Sequence, residues 1–184
     1  MIELFIKGGF LMYPILFCSV MGLSILINKF LQYRKILVSL GQELSSLQKS
    51  PPPILKPLLE TMKSGGSEQE LSLVGTRQIK GIEKGLSWLS LIATIAPLLG
   101  LTGTVTGMIK AFMVIANSTT VNPPMLAGGI WEALITTAAG LLVAIPIHVG
   151  HHYLEKQADE IAFVLKEVTT SLYLKENRGR RNGI

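Results

Sequence analysis

Three long apolar runs and one charged interval divide the chain. The first run, residues 8–28, lies between Lys7 and Lys29 without a formal charge. About 20 residues at 1.5 Å each match a hydrocarbon layer of about 30 Å, so the run predicts a membrane-crossing helix. A signal peptide is the rival reading, but the run is too long for a typical signal core and no small-residue cleavage site follows it. Tyr13 and Tyr33 fall near its two interfaces, and Pro14 sits in its first turns, where proline is tolerated. The second run, 85–109, lies between Lys84 and Lys110, and the third extends from about Met125 to Tyr153. Between them Asn117-Ser118-Thr119-Thr120-Val121-Asn122-Pro123-Pro124 breaks the apolar pattern without a charge and predicts a short turn.

Residues 32–87 differ in character. Eight basic residues (Arg34, Lys35, Lys49, Lys56, Lys63, Arg77, Lys80, Lys84) stand against five acidic ones, and Pro51-Pro52-Pro53 and Gly65-Gly66 break the interval twice. The pattern predicts a helix continuing from the first crossing, a turn, a short helix, a second turn and a helix leading back. Ser67 with Glu70 three residues later resembles a capping box. A structural helical hairpin without chemistry accounts for this interval. Beyond the third run, Leu154, Ala158, Ile161, Leu165, Val168 and Leu172 alternate spacings of four and three, an apolar helix seam that packs on the chain's own helices or on copies of itself. The tail Arg178-Gly179-Arg180-Arg181 reads as a disordered basic end near anionic lipid.

Composition agrees with a membrane protein: 48% hydrophobic and 16% charged residues, with a mean hydropathy of +0.45. The net charge of +5 does not point to nucleic acid, because Lys and Arg cluster beside the apolar runs. Eight lie in 32–87, six follow residue 150 and none falls between 111 and 155. Basic loops face the cytoplasm, so three crossings place the N-terminus outside and the C-terminus inside. The single cysteine, Cys18, has no disulfide partner, and no zinc spacing, phosphate loop or nucleophile elbow appears, so no ordinary enzyme is indicated. The expected segments are 1–7 outside, 8–31 first crossing, 32–87 cytoplasmic hairpin, 88–116 second crossing, 117–124 outer turn, 125–153 third crossing and 154–184 cytoplasmic helix with basic tail.

The second run is rich in small residues. Gly100, Gly103, Thr104, Gly107 and Ala111 recur at spacings of three and four, so they share a face on which helices approach closely in lipid. Pro97 should kink this helix and free a carbonyl for a threonine or a neighbouring helix. The third run contains a carboxylate, Glu132, whose insertion costs about 2.5–3.5 kcal/mol. Antiparallel crossings joined at the turn bring equidistant residues level. Thr104 and Thr137 are each about 18 Å of helix from the turn, at one depth near mid-membrane. Glu132 lies about one and a half turns nearer the outside. Thr102, Thr106 and Thr136 could join this polar line. Membrane threonines also bond back to their own helix. Glu132 is either a neutral structural hydrogen-bond donor or a titratable relay. Lys110 snorkels toward the outer interface or acts directly. His148, His151 and His152, at the inner end of the third run, are interfacial anchors or a proton exit.

Ala96-Pro97-Leu98-Leu99-Gly100-Leu101-Thr102-Gly103-Thr104-Val105-Thr106-Gly107-Met108-Ile109, followed by Gly129-Ile130-Trp131-Glu132-Ala133-Leu134-Ile135-Thr136-Thr137-Ala138-Ala139-Gly140-Leu141-Leu142-Val143-Ala144-Ile145-Pro146, resembles the ExbB/TolQ/MotA proton-channel family. Three membrane helices fit its ExbB/TolQ branch, since MotA-type chains usually have four; the short 32–87 interval is compact for an ExbB. The resemblance covers about 60 residues and implies that Thr104, Thr137 and Glu132 line an ion pathway, while Gly100, Gly103, Gly107, Pro97, Gly140 and Pro146 serve helix packing. It implies an all-α membrane protein with three transmembrane helices, long helices extending into the cytoplasm and a homopentameric ring in the bacterial inner membrane. It further implies two copies of a single-helix ExbD/TolR-like partner carrying a membrane aspartate, with a TonB/TolA-like effector beyond it. Protons, ahead of sodium, would be the coupling ion, with no other cofactor. This chain has no aspartate in its own apolar runs, which fits that division of labour. The expected function is a stator subunit of a proton-driven motor. The alternatives are a passive scaffold for a membrane partner and a stand-alone small-ion channel.

Overall fold

A computed structural model of the chain describes residues 7–41, 51–118 and 123–182. The described residues are all-α, with five helices: α1 (Met12–Leu40), α2 (Lys56–Lys63), α3 (Glu68–Glu83), α4 (Leu86–Ala116) and α5 (Pro123–Asn182). Three stretches are long and apolar enough to cross a membrane. The expected outer segment 1–7, apart from Lys7, and half of the outer turn 117–124 fall outside the described residues, as does the interval around Lys49. Two compact units form: one from the chain up to Leu26 with Ser87–His151, the other from Ile27–Leu86 with the chain from His152 onward.

In the first unit three helices pack together. Gly22 of α1 lies against Ile147 of α5, and Leu26 against Gly150, so α1 and α5 run parallel. Gly140 meets Gly100, and Gly129 meets Gly107, so α4 and α5 run antiparallel. Their seam is built from Ala96, Gly100, Gly103, Gly107 and Ala111 on α4 against Gly129, Ala133, Thr136, Gly140 and Ala144 on α5. Spacings of three and four keep each set on one helix face. The approach is too close for larger side chains: a methyl group at Gly103 would overlap the hydroxyl and Cβ of Thr136. Such contact maximises dispersion in a medium that offers no hydrophobic driving force between helices. Pro97 is half-buried and Pro146 exposed, and α4 and α5 continue through both.

In the second unit α2 and α3 form the hairpin, turning through Gly65 at φ 79°. The capping box is present: the Glu70 N–H donates to Ser67 Oγ at 3.2 Å, and the Ser67 N–H donates to Glu70 Oε2 at 2.9 Å. The other end of α3 is held by side chains of α1. Tyr33 Oη and Lys29 Nζ both donate to the Ile82 carbonyl at 2.8 Å, satisfying one of the orphan acceptors of a helix terminus. Tyr33, expected near an interface of the first crossing, is fully buried against α3. Helix α1 continues past the apolar run, and burial against α3 supplies a partner for the hydroxyl. Leu154, Ala158, Ile161, Leu165 and Leu172 of the α5 seam are buried, with Val168 half-buried, so residues of 27–86 cover them within one chain. The basic tail also departs from expectation, because α5 includes residues 178–182. One glycine costs a helix about 1 kcal/mol relative to alanine, and Gly179 does not end it.

Candidate functional site

The polar groups singled out in α4 and α5 divide into those bonded within one helix and those joined across the seam. Thr102 donates to the Leu98 carbonyl at 2.8 Å, and Thr106 to those of Thr102 at 3.0 Å and Gly103 at 3.2 Å. Thr136, with 0% exposure, donates to the Glu132 and Ala133 carbonyls, both at 2.9 Å. These hydroxyls serve their own helices, the ordinary resource of a threonine without water. Thr136 also fills the notch left by Gly103, which makes it a packing residue.

Thr104 and Thr137 are joined differently. Thr104 Oγ1 donates to the Leu101 carbonyl at 2.6 Å, within α4. Thr137 Oγ1 crosses the seam and donates to the Gly100 carbonyl at 3.0 Å. Two hydroxyls from different helices thus hang on consecutive carbonyls of α4. Both threonines are half-buried. The missing side chain of Gly100 opens the path, since a Cβ there would sit 3.0 Å from the Thr137 Cα. Each hydroxyl keeps lone pairs after donating, so the pair offers acceptor capacity at one level of an otherwise apolar wall.

Nearer the start of α5, Glu132 pairs with Lys110 of α4, with Nζ 2.5 Å from Oε1. The Glu132 side chain is 18% exposed and that of Lys110 58%. Gly9 closes the other side of the carboxylate: it holds φ 70°, and a Cβ there would overlap Glu132 Oε1. Next to the pair, Lys7 Nζ lies 5.8 Å from the centre of the Trp131 ring. The sequence allows Lys110 either to snorkel to the interface or to act directly; Lys110 and Glu132 are centred on about residue 121, nearly the centre shared by Thr104 and Thr137. The antiparallel rule that levelled the threonines levels this pair as well. Gly9 gave no such signal, because nothing local ties an N-terminal glycine to a residue more than a hundred positions away.

His148 is exposed and His151 half-buried. In the second unit His152 Nδ1 stands 3.8 Å from Glu155 Oε2, an ion pair only when the imidazole is protonated. Among the described residues no group of three or more His, Cys, Asp or Glu is arranged to hold a metal. The site's chemistry is that of hydrogen bonds and fixed charge.

Residues 48–167 match the family model of the MotA/TolQ/ExbB proton channel family. The chain is 31% identical over 176 residues to the biopolymer transport protein exbB1 of Vibrio cholerae, covering 82% of this chain and 77% of that protein. It is 35% identical over 96 residues to the Tol-Pal system protein TolQ of Haemophilus influenzae, covering 52% of this chain and 42% of that protein. It is 37% identical over 95 residues to the biopolymer transport protein ExbB of Salmonella typhimurium, covering 52% and 39%. The match thus spans most of the Vibrio protein and about two fifths of the other two.

Proposed function

Because this chain belongs to the MotA/TolQ/ExbB proton channel family, on its ExbB/TolQ branch, we propose that it is a stator subunit of a proton-driven motor in the bacterial inner membrane. Its N-terminus would lie in the periplasm and its C-terminus in the cytoplasm, in keeping with the distribution of Lys and Arg. Five copies would surround two copies of a single-helix ExbD/TolR-like protein whose membrane aspartate takes up the proton. Neutralising that aspartate releases its charge constraint and gives it an O–H able to donate to the lone pairs of Thr104 and Thr137, and the partner turns inside the ring. The turn is passed to a TonB- or TolA-like effector, serving transport or envelope maintenance. The energy scale suffices: one charge crossing 100 mV is worth about 2.3 kcal/mol.

The observation that carries this reading is the placement of Thr104 and Thr137 on the consecutive carbonyls of Leu101 and Gly100. That gives a subunit without a membrane aspartate a fixed polar step for the partner's aspartate to face. Glu132 stands toward the outer end of the same line. Thr104→Ala with Thr137→Ala should leave the complex assembled, by size and composition, while motor output is lost; serine at both positions should restore it. Wild-type output from the assembled double alanine variant would count decisively against the path.

A passive scaffold is the second reading, favoured by the small-residue seam and the buried apolar stripe of α5, which explain much of the chain through packing alone. Replacing the partner's membrane aspartate with asparagine separates the two, because a scaffold keeps its function and a motor does not.

A further inference from the structure

Two charge states are open to Glu132. A carboxylate in an apolar layer is either neutralised by a proton or kept ionised by a resident cation. Here the cation is present: Lys110 places its ammonium 2.5 Å from Oε1, 22 residues away on the neighbouring helix. A proton carrier must bind and release its proton in every cycle, and a carboxylate clasped by an ammonium is poorly suited to that. The surroundings point the same way. Gly9, in the turn leading into α1, leaves room for the carboxylate where any other residue would collide with it. The same turn seats Gly8 against Ile135, one helical turn along α5. Lys7 lies over the ring of Trp131, the residue before Glu132, 5.8 Å from its centre.

We propose that Lys110 is the resident counter-ion of Glu132, and that the pair is a fixed electrostatic clasp joining α4, α5 and the turn before α1, not a proton relay. Lys110 is then a positioning residue, acting through Glu132 on the geometry of the α4–α5 seam, across which Thr137 reaches the Gly100 carbonyl. The clasp stands whether or not the subunit drives a motor, since it rests on charge and contact within one chain. Two charges are cheaper in lipid as a hydrogen-bonded pair than apart. With three donors, Lys110 also has N–H groups left for water or headgroups at its exposed side.

Infrared spectroscopy of the full chain, reconstituted in nanodiscs at pH 7, reads the charge state directly and independently of motor output. Wild-type protein should show no protonated-carboxyl band that Glu132→Gln removes. Lys110→Met should gain one protonated carboxyl per chain, and Lys110→Met with Glu132→Gln should lose it again. Lys110→Arg should keep the wild-type spectrum. A protonated-carboxyl band in wild type that disappears in Glu132→Gln, or an unchanged spectrum in Lys110→Met, overturns the proposal. If Lys110→Met does not fold, the wild-type, Glu132→Gln and Lys110→Arg spectra still decide it.

Discussion

The hydroxyl of Thr137 donates to the carbonyl oxygen of Gly100 across 37 positions of sequence, at 3.0 Å. This hydrogen bond joins an α5 hydroxyl to the α4 backbone. It lies beside Gly100, whose missing side chain lets the two backbones approach, and it places Thr137 on the carbonyl adjacent to the one that holds Thr104.

Thr137→Ala should cost the assembly about 0.5–1.5 kcal/mol, the net value of one hydrogen bond. Thr137→Ser should cost less, because the hydroxyl remains. Thermal unfolding in detergent checks both. A serine variant as unstable as alanine would indicate that the methyl group, and not the bond, supports the seam.

Gly103→Ala should destabilise by about 1–3 kcal/mol, since the added methyl overlaps Thr136 and forces the two helices apart. Gly75→Ala in α3 is the contrasting case. Its Cβ would meet only Leu58 Cδ2, at 3.8 Å, and the substitution should stabilise by about 0.5–1 kcal/mol through helix propensity. Melting curves of the two variants should therefore move in opposite directions.

Tyr33→Phe and Lys29→Met each remove one of two donors to the Ile82 carbonyl, so each alone should be mild, at about 1 kcal/mol. The double variant orphans the acceptor at the end of α3, and its cost should exceed the sum of the singles. A double-mutant cycle by thermal unfolding measures that excess, and strict additivity would mean that water already satisfies the carbonyl.

Ile161→Ala should cost about 2–5 kcal/mol, because the side chain is fully buried in the α5 seam. Phe163→Ala, two residues on and 70% exposed, should change stability by under about 0.5 kcal/mol in the isolated chain. A large loss from Phe163→Ala confined to the assembled complex would mark that face as an interface.

Much of the site was legible before any coordinates. Thr104 and Thr137 could be levelled from their distances to the turn, because two antiparallel helices rise at the same rate. The same reasoning reaches Lys110 opposite Glu132, but the habit of reading a lysine near a helix end as snorkelling obscured it. Donor assignments were less accessible. Thr102, Thr106 and Thr136 bond back while Thr137 reaches across to the carbonyl of Gly100, where no side chain stands in the way. The burial of Tyr33 is not readable from its place beside an apolar run, which says nothing about a helix end folding back onto it.

Taken alone, the order of residues determined what is periodic and additive: three apolar lengths, the small-residue and apolar stripes, the Ser67–Glu70 cap and the distribution of charge. Each depends on neighbours within a turn or two, or on totals. Tertiary structure decided which partner each polar group takes: Lys110 for Glu132, Gly100 for Thr137, Ile82 for Tyr33, and the space at Gly9. In a medium with little water, a polar group settles on whichever acceptor or charge packing brings within about 3 Å, and packing is set by residues far apart in the chain.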